Sequence, residues 1–156
     1  MIEIDIPGFG FARLEHLVSD FTGTLSVEGK LLPGLKELLN KVAQVVKIHI
    51  LTADTFGTAQ TACAGVECTL TVLSGEVIDI LKEQYVRDLG EESVIAIGNG
   101  NNDRKMLAAA RIGIAVIEGE GCSVNALLSA DIAVRSINEG LGLILDPRKL
   151  KATLRI

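Results

Sequence analysis

His16-Leu17-Val18-Ser19-Asp20-Phe21-Thr22-Gly23-Thr24-Leu25 is the stretch on which the reading of this chain turns. Apolar residues run straight into a carboxylate, the pattern of a strand that ends on Asp20. A carboxylate exposed at a strand end can serve as a nucleophile or hold a metal ion. Gly23 then lets backbone N–H groups turn towards an anion. Taken alone, such a cluster is also what a plain turn or a helix cap looks like.

The flanks supply the fold. Upstream, Ile2, Ile4 and Ile6 alternate with Glu3 and Asp5, which predicts a half-buried strand. Pro7-Gly8-Phe9-Gly10 reads as a turn, and residues 11–14 as the second arm of a hairpin. Downstream the chain alternates. Leu35, Leu38, Leu39, Val42 and Val45 recur at helical spacing over residues 33–45, with Pro33 suited to a first helical turn. Strands are expected at 46–51, 67–72, 94–97, 112–117 and 131–134. Helices are expected at 58–64, from 75 or 76 to 89, and at 102–110, 122–128 and 137–145. Strands alternating with helices over short loops predict an α/β, Rossmann-like three-layer sandwich. It has a central, mostly parallel sheet and an N-terminal β-hairpin. No repeat or linker interrupts it, so residues 1–156 read as a single domain.

In such a sheet the ligand lies beyond the carboxyl ends of the strands. Two more polar clusters fall there. Thr52-Ala53-Asp54 follows one apolar run, and Gly98-Asn99-Gly100-Asn101-Asn102-Asp103 follows another. Glycines in the latter allow close backbone approach, and its side-chain oxygens suit a hard cation. Asp54 has an equal claim as the cap of the segment after it.

These motifs resemble the haloacid dehalogenase superfamily of phosphotransferases, and within it the phosphorylation domain of P-type ATPases. Asp20-Phe21-Thr22-Gly23-Thr24-Leu25 is similar to the pumps' D-K-T-G-T-L, with Phe21 in place of lysine. Thr52-Ala53-Asp54 is similar to T-G-D. Lys82, Val86 and Leu89 match K-x-x-x-V-x-x-L. Gly98 to Asp103 with Met106-Leu107 is similar to G-D-G-x-N-D-x-x-x-L, with Asn99 where the family has an Asp.

The resemblance implies a set of roles. Asp20 is the nucleophile, forms an aspartyl-phosphate and shares Mg²⁺. The Thr22 carbonyl is a second metal ligand. Gly23, Thr52, Ala53 and Asn102 bind the phosphoryl group. Lys82 offsets the charge of Asp20 and the phosphate, and Asn99 and Asp103 serve the metal. A carboxylate attacking a phosphate dianion meets like-charge repulsion, so Lys82 and Mg²⁺ are both needed. The implied function is a Mg²⁺-dependent phosphatase acting on a phosphorylated substrate.

Two departures bear on that expectation. Most phosphatases of the superfamily place an Asp two residues after the nucleophile as general acid and base, and here Thr22 stands there. General acid–base help is worth about 10²–10⁴-fold, so slow turnover is expected. Asn99 removes a negative charge, and weaker metal binding is expected. Both favour an alternative, a catalytically weak phosphate-binding regulatory or interaction domain.

Spacing and composition exclude more. Thirty-two positions separate Asp20 from Thr52 and thirty separate Thr52 from Lys82, so neither gap has room for a cap domain. With no cap to cover the site, self-association into a homo-oligomer is an expectation. A net charge of −5 argues against a nucleic-acid surface. No apolar run approaches the roughly 18–20 residues that span a bilayer, so no membrane is expected and the cytoplasm is. Cys63, Cys68 and Cys122 read as small apolar side chains rather than a zinc site. His16 and His49 match no motif and read as structural. The basic stretch of Arg148, Lys149, Lys151 and Arg155 reads as a solvated tail.

Overall fold

The computed structural model describes residues 1–156. The chain opens with the expected hairpin, β1 (Ile2–Ile6) paired antiparallel with β2 (Gly10–Leu14). β3 (His16–Asp20) follows at once and ends on the carboxylate. Then come a small hairpin of β4 (Ser26–Val27) and β5 (Lys30–Leu31), α1 (Leu35–Ala43) and β6 (Lys47–Thr52). Next are α2 (Thr58–Ala62), β7 (Thr69–Val72), α3 (Ile78–Leu89), β8 (Val94–Gly98) and α4 (Arg104–Ala109). β9 (Ile112–Val116), α5 (Val124–Ser129), β10 (Ile132–Val134), α6 (Ile137–Leu145) and α7 (Pro147–Leu154) complete it.

Six strands form one sheet in the order β10-β9-β8-β3-β6-β7, and every pairing in it is parallel. β3 therefore lies between β8 and β6, with Asp20 opposite Leu51 and Ser19 opposite Ile97. That register places the ends of the three strands side by side. β8 and β9 are buried at every position, as a sheet covered on both faces requires.

Alternation along the strands divides the core in two. Ile95 and Ile97 join the larger cluster with Leu17, Ile48 and Ile50, beneath Leu35, Leu39, Leu141 and Ile144 of α1 and α6. Val94 and Ala96 point the other way, to Val18, Leu51, Val86, Met106 and Leu107 beneath α3 and α4. The result is the three-layer sandwich. No helix is long and apolar enough to cross a membrane.

The C-terminal stretch departs from expectation. Residues 147–154 form α7, which packs on α6 and on β1, with Leu150 fully buried. Its basic residues lie on the outer face of an ordered helix rather than on a free tail. The β4–β5 hairpin was not expected either.

Candidate active site

The ends of β3, β6 and β8 meet at a cleft of about 350 Å³ whose walls include Asp20, Thr22, Ala53, Lys82, Asn99 and Asn102. Lys82 reaches it from α3. It stands one helical turn before Val86, so both side chains turn onto the sheet. Lys82 is 1% exposed, and its Nζ lies 2.6 Å from Asp20 Oδ1 and 2.6 Å from Asp103 Oδ1. Both are charge-assisted hydrogen bonds of short length.

Burial works against the ammonium, but Asp20 and Asp103 outweigh it, and the Lys82 pKa is raised. Lys82 thus stays charged. Burial first, and the charge of Asp103 second, push the Asp20 carboxyl up, while Lys82 and the Thr24 hydroxyl pull it back. Two buried carboxylates share one ammonium, so with both ionised the cluster carries a surplus negative charge. The upward shift of Asp20 is the response to burial and to that crowding. A buried charge without full compensation is costly, and a cation would relieve it.

Asp103 is fully committed. Oδ1 takes Lys82, and Oδ2 accepts the N–H groups of Asn99 at 3.0 Å and Gly100 at 2.8 Å. Its side chain orients Lys82 and the loop after β8. Gly98 is needed for this packing, because a Cβ there would stand 2.6 Å from the Asp103 carboxyl.

The Thr24 hydroxyl lies 3.3 Å from Asp20 Oδ2 and 3.0 Å from Asn99 Oδ1. One hydroxyl has one proton to give, so one of these two acceptors goes without it. The Thr22 carbonyl accepts no backbone hydrogen bond. Asp20, the Thr22 carbonyl and Asn99 Oδ1 thus offer oxygens of the kind a hard cation prefers, and the donor set fits Mg²⁺.

The phosphate side is arranged differently from expectation at one point. The Gly23 amide donates to the Ser26 carbonyl at 3.0 Å, so it is already engaged. No bond from the amides of Phe21, Thr22 or Ala53 to an acceptor in a loop or turn is present, and they are open to a ligand. Thr52 is buried, and its hydroxyl oxygen accepts the Asp54 N–H at 3.0 Å, which leaves its own proton to donate. Asn102 faces the cleft.

Asp54 holds the loop instead. Its carboxylate accepts the Phe56 N–H at 2.9 Å and the Ala59 N–H at 3.1 Å, capping α2. The bond from the Phe56 amide, the larger cause, and that from Ala59 lower its pKa. Glu120, from the loop between β9 and α5, also lines the cleft. Nothing in the motif spacing pointed to it.

The family model of the haloacid dehalogenase-like hydrolases matches residues 82–140 of this chain. Among individual proteins, the chain is 45% identical over 73 residues to the uncharacterized protein MJ0073 of Methanocaldococcus jannaschii. That match spans 47% of this chain and 78% of MJ0073. It is 33% identical over 133 residues to a manganese-exporting P-type ATPase of Mycobacterium leprae, covering 82% of this chain but only 17% of the pump. In fold it resembles the 3-deoxy-D-manno-octulosonate 8-phosphate phosphatase of Moraxella catarrhalis, solved with magnesium, phosphate and the sugar acid. The TM-score is 0.68 at 17% identity, over 91% of this chain and 94% of that one.

Proposed function

We propose that this protein is a Mg²⁺-dependent phosphohydrolase that works through an aspartyl-phosphate on Asp20. The observation that carries this reading is the buried Lys82 ammonium held 2.6 Å from both Asp20 and Asp103 at the strand ends. The match to the haloacid dehalogenase-like hydrolase model and the fold shared with a sugar-phosphate phosphatase support a phosphomonoester as substrate.

Asp20 attacks phosphorus, the bond from its carboxylate oxygen to phosphorus forms, and the ester oxygen leaves with its electron pair. The amides of Phe21, Thr22 and Ala53, with the Thr52 hydroxyl and Asn102, hold the phosphoryl oxygens. Lys82 offsets the charge on Asp20 and the incoming phosphate. Bound Mg²⁺, held by Asp20, the Thr22 carbonyl and Asn99, would supply further charge neutralisation. Water then cleaves the acyl phosphate, releasing inorganic phosphate and restoring Asp20.

Thr22 has no carboxyl to protonate the leaving group or to draw a proton from that water. Both steps therefore lose the usual general acid–base help, and hydrolysis is slow. Thr22 also favours a second reading, a regulatory domain that binds phosphate without turning it over.

Fluoroberyllate titration with Mg²⁺, followed by p-nitrophenyl phosphate assays, tests both. The wild type is expected to bind fluoroberyllate and to hydrolyse the ester slowly, and Asp20→Asn to do neither. Hydrolysis by Asp20→Asn at the wild-type rate would remove Asp20 from the mechanism. Fluoroberyllate binding without any turnover would leave the regulatory reading.

A further inference from the structure

We propose that Glu120 supplies the magnesium-facing carboxylate that position 99 lacks; this rests on the Asp20-centred site argued above. Glu120 Oε2 lies 2.5 Å from the point where a Cβ on Gly23 would stand. Asn99 Nδ2 and Oδ1 lie 2.7 and 3.2 Å from that same point. Side-chain atoms from two loops therefore converge over the backbone of the loop that presents Asp20 and Thr22. Gly23, with a φ of +77°, gives them the room.

The Glu120 loop is pinned on both sides. Asn99 Nδ2 donates to the Gly121 carbonyl at 3.0 Å, and the Asn99 carbonyl accepts the Ser123 N–H at 2.8 Å. At the other end, Glu118 Oε2 accepts the Ile137 N–H at 2.8 Å. The amide of Asn99 is therefore in use. An aspartate at position 99 has no N–H to give Gly121, so it would free the loop and set a second carboxylate beside Glu120. Asparagine at 99 and glutamate at 120 form one arrangement, in which the charge missing from one loop returns on the next.

Charge counting points the same way. With both carboxyls ionised, as cation binding requires, Asp20, Asp103 and Lys82 sum to one negative charge. Glu120, which forms no ion pair or side-chain hydrogen bond within the chain, raises that to two, matching a divalent cation. Without a bound cation, a carboxylate there would repel an incoming phosphate. Since Glu120 is exposed at the cleft mouth, its removal leaves the fold intact.

Manganese, which electron paramagnetic resonance detects directly, is the probe, with Mg²⁺ as competitor. Glu120→Gln is expected to weaken Mn²⁺ binding about 10-fold or more, the scale seen when a supporting carboxylate is lost from a metal site. Its melting temperature in EDTA should equal or exceed that of the wild type. The double variant Asn99→Asp/Glu120→Gln returns the carboxylate to position 99 and should recover part of the affinity. Wild-type affinity in Glu120→Gln, beside loss of binding in Asp20→Asn, would overturn the role of Glu120 and leave the Asp20 site standing. No Mn²⁺ binding by the wild type would overturn both.

Discussion

His49 lies on β6, with Nε2 3.0 Å from His16 Nδ1 and Nδ1 3.0 Å from the Tyr85 hydroxyl. Burial, followed by the nearby His16 and Lys47, pushes its pKa down from 6.5 to about 4. The charged form is the disfavoured one, so the folded protein releases a proton that the unfolded chain keeps. Between pH 6.5 and about 4 the unfolded state binds more protons at this site, and the His49 contribution to stability falls as pH falls through that window. As pH falls from 7 to 5, His49 should therefore lower the urea midpoint of the wild type relative to that of His49→Gln. Asp20 pulls the opposite way, because its raised pKa makes the folded protein take up a proton as pH falls. An unchanged slope in His49→Gln would locate the pH dependence elsewhere. At this scale the sequence was uneven. Asp20, Lys82 and Asp103 were legible because motif spacing ties each to the others. The bonding of His49 to Tyr85 depends on a strand and a helix meeting, and no spacing records it. Glu120 was equally hidden, because a glutamate between two glycines looks like any solvated turn.

Helix α7 shows what composition can conceal. Lys149, Lys151 and their basic neighbours dominate the stretch and suggest a solvated tail. Yet Pro147 opens a helix well, and Leu150 and Leu154 stand four residues apart on one face. Leu150 is fully buried beneath the helix. Leu150→Ala should therefore cost about 2–5 kcal/mol, as for other buried leucines, read as a lower urea midpoint. A loss below about 0.5 kcal/mol, the range of surface changes, would restore the tail. The β4–β5 hairpin was missed for the opposite reason, since each strand is only two residues long. Its signal is Glu28-Gly29 at the turn, where φ is +51° and +75°. Two successive left-handed residues are what a tight hairpin turn demands, and glycine in the second place makes it affordable. The long strands and helices were legible because burial on two sheet faces imposes apolar runs and helical spacing together.

The whole molecule concentrates its polar interior at one end of an otherwise apolar sheet. Asp20, Lys82 and Asp103 are buried there, with a surplus negative charge when both carboxyls are ionised, and folding must bring the two carboxylates together without a second cation to balance them. A divalent ion binds the folded cleft and not the dispersed residues of the unfolded chain. Saturating Mg²⁺ therefore acts as a folding ligand: at 100 times its Kd it adds about 2.7 kcal/mol. In a chain of this length, each kcal/mol moves the melting temperature by about 2–4 °C, so a rise of about 5–10 °C over EDTA is expected. Asp20→Asn supplies the control. It removes one of the crowded carboxylates, so in EDTA it should melt at or above the wild type, and Mg²⁺ should shift it little. A wild type that melts identically in EDTA and at every Mg²⁺ concentration up to 10 mM would mean that the strand ends bind no Mg²⁺ in that range. The negative surplus at Asp20 and Asp103 would then be balanced only by Lys82.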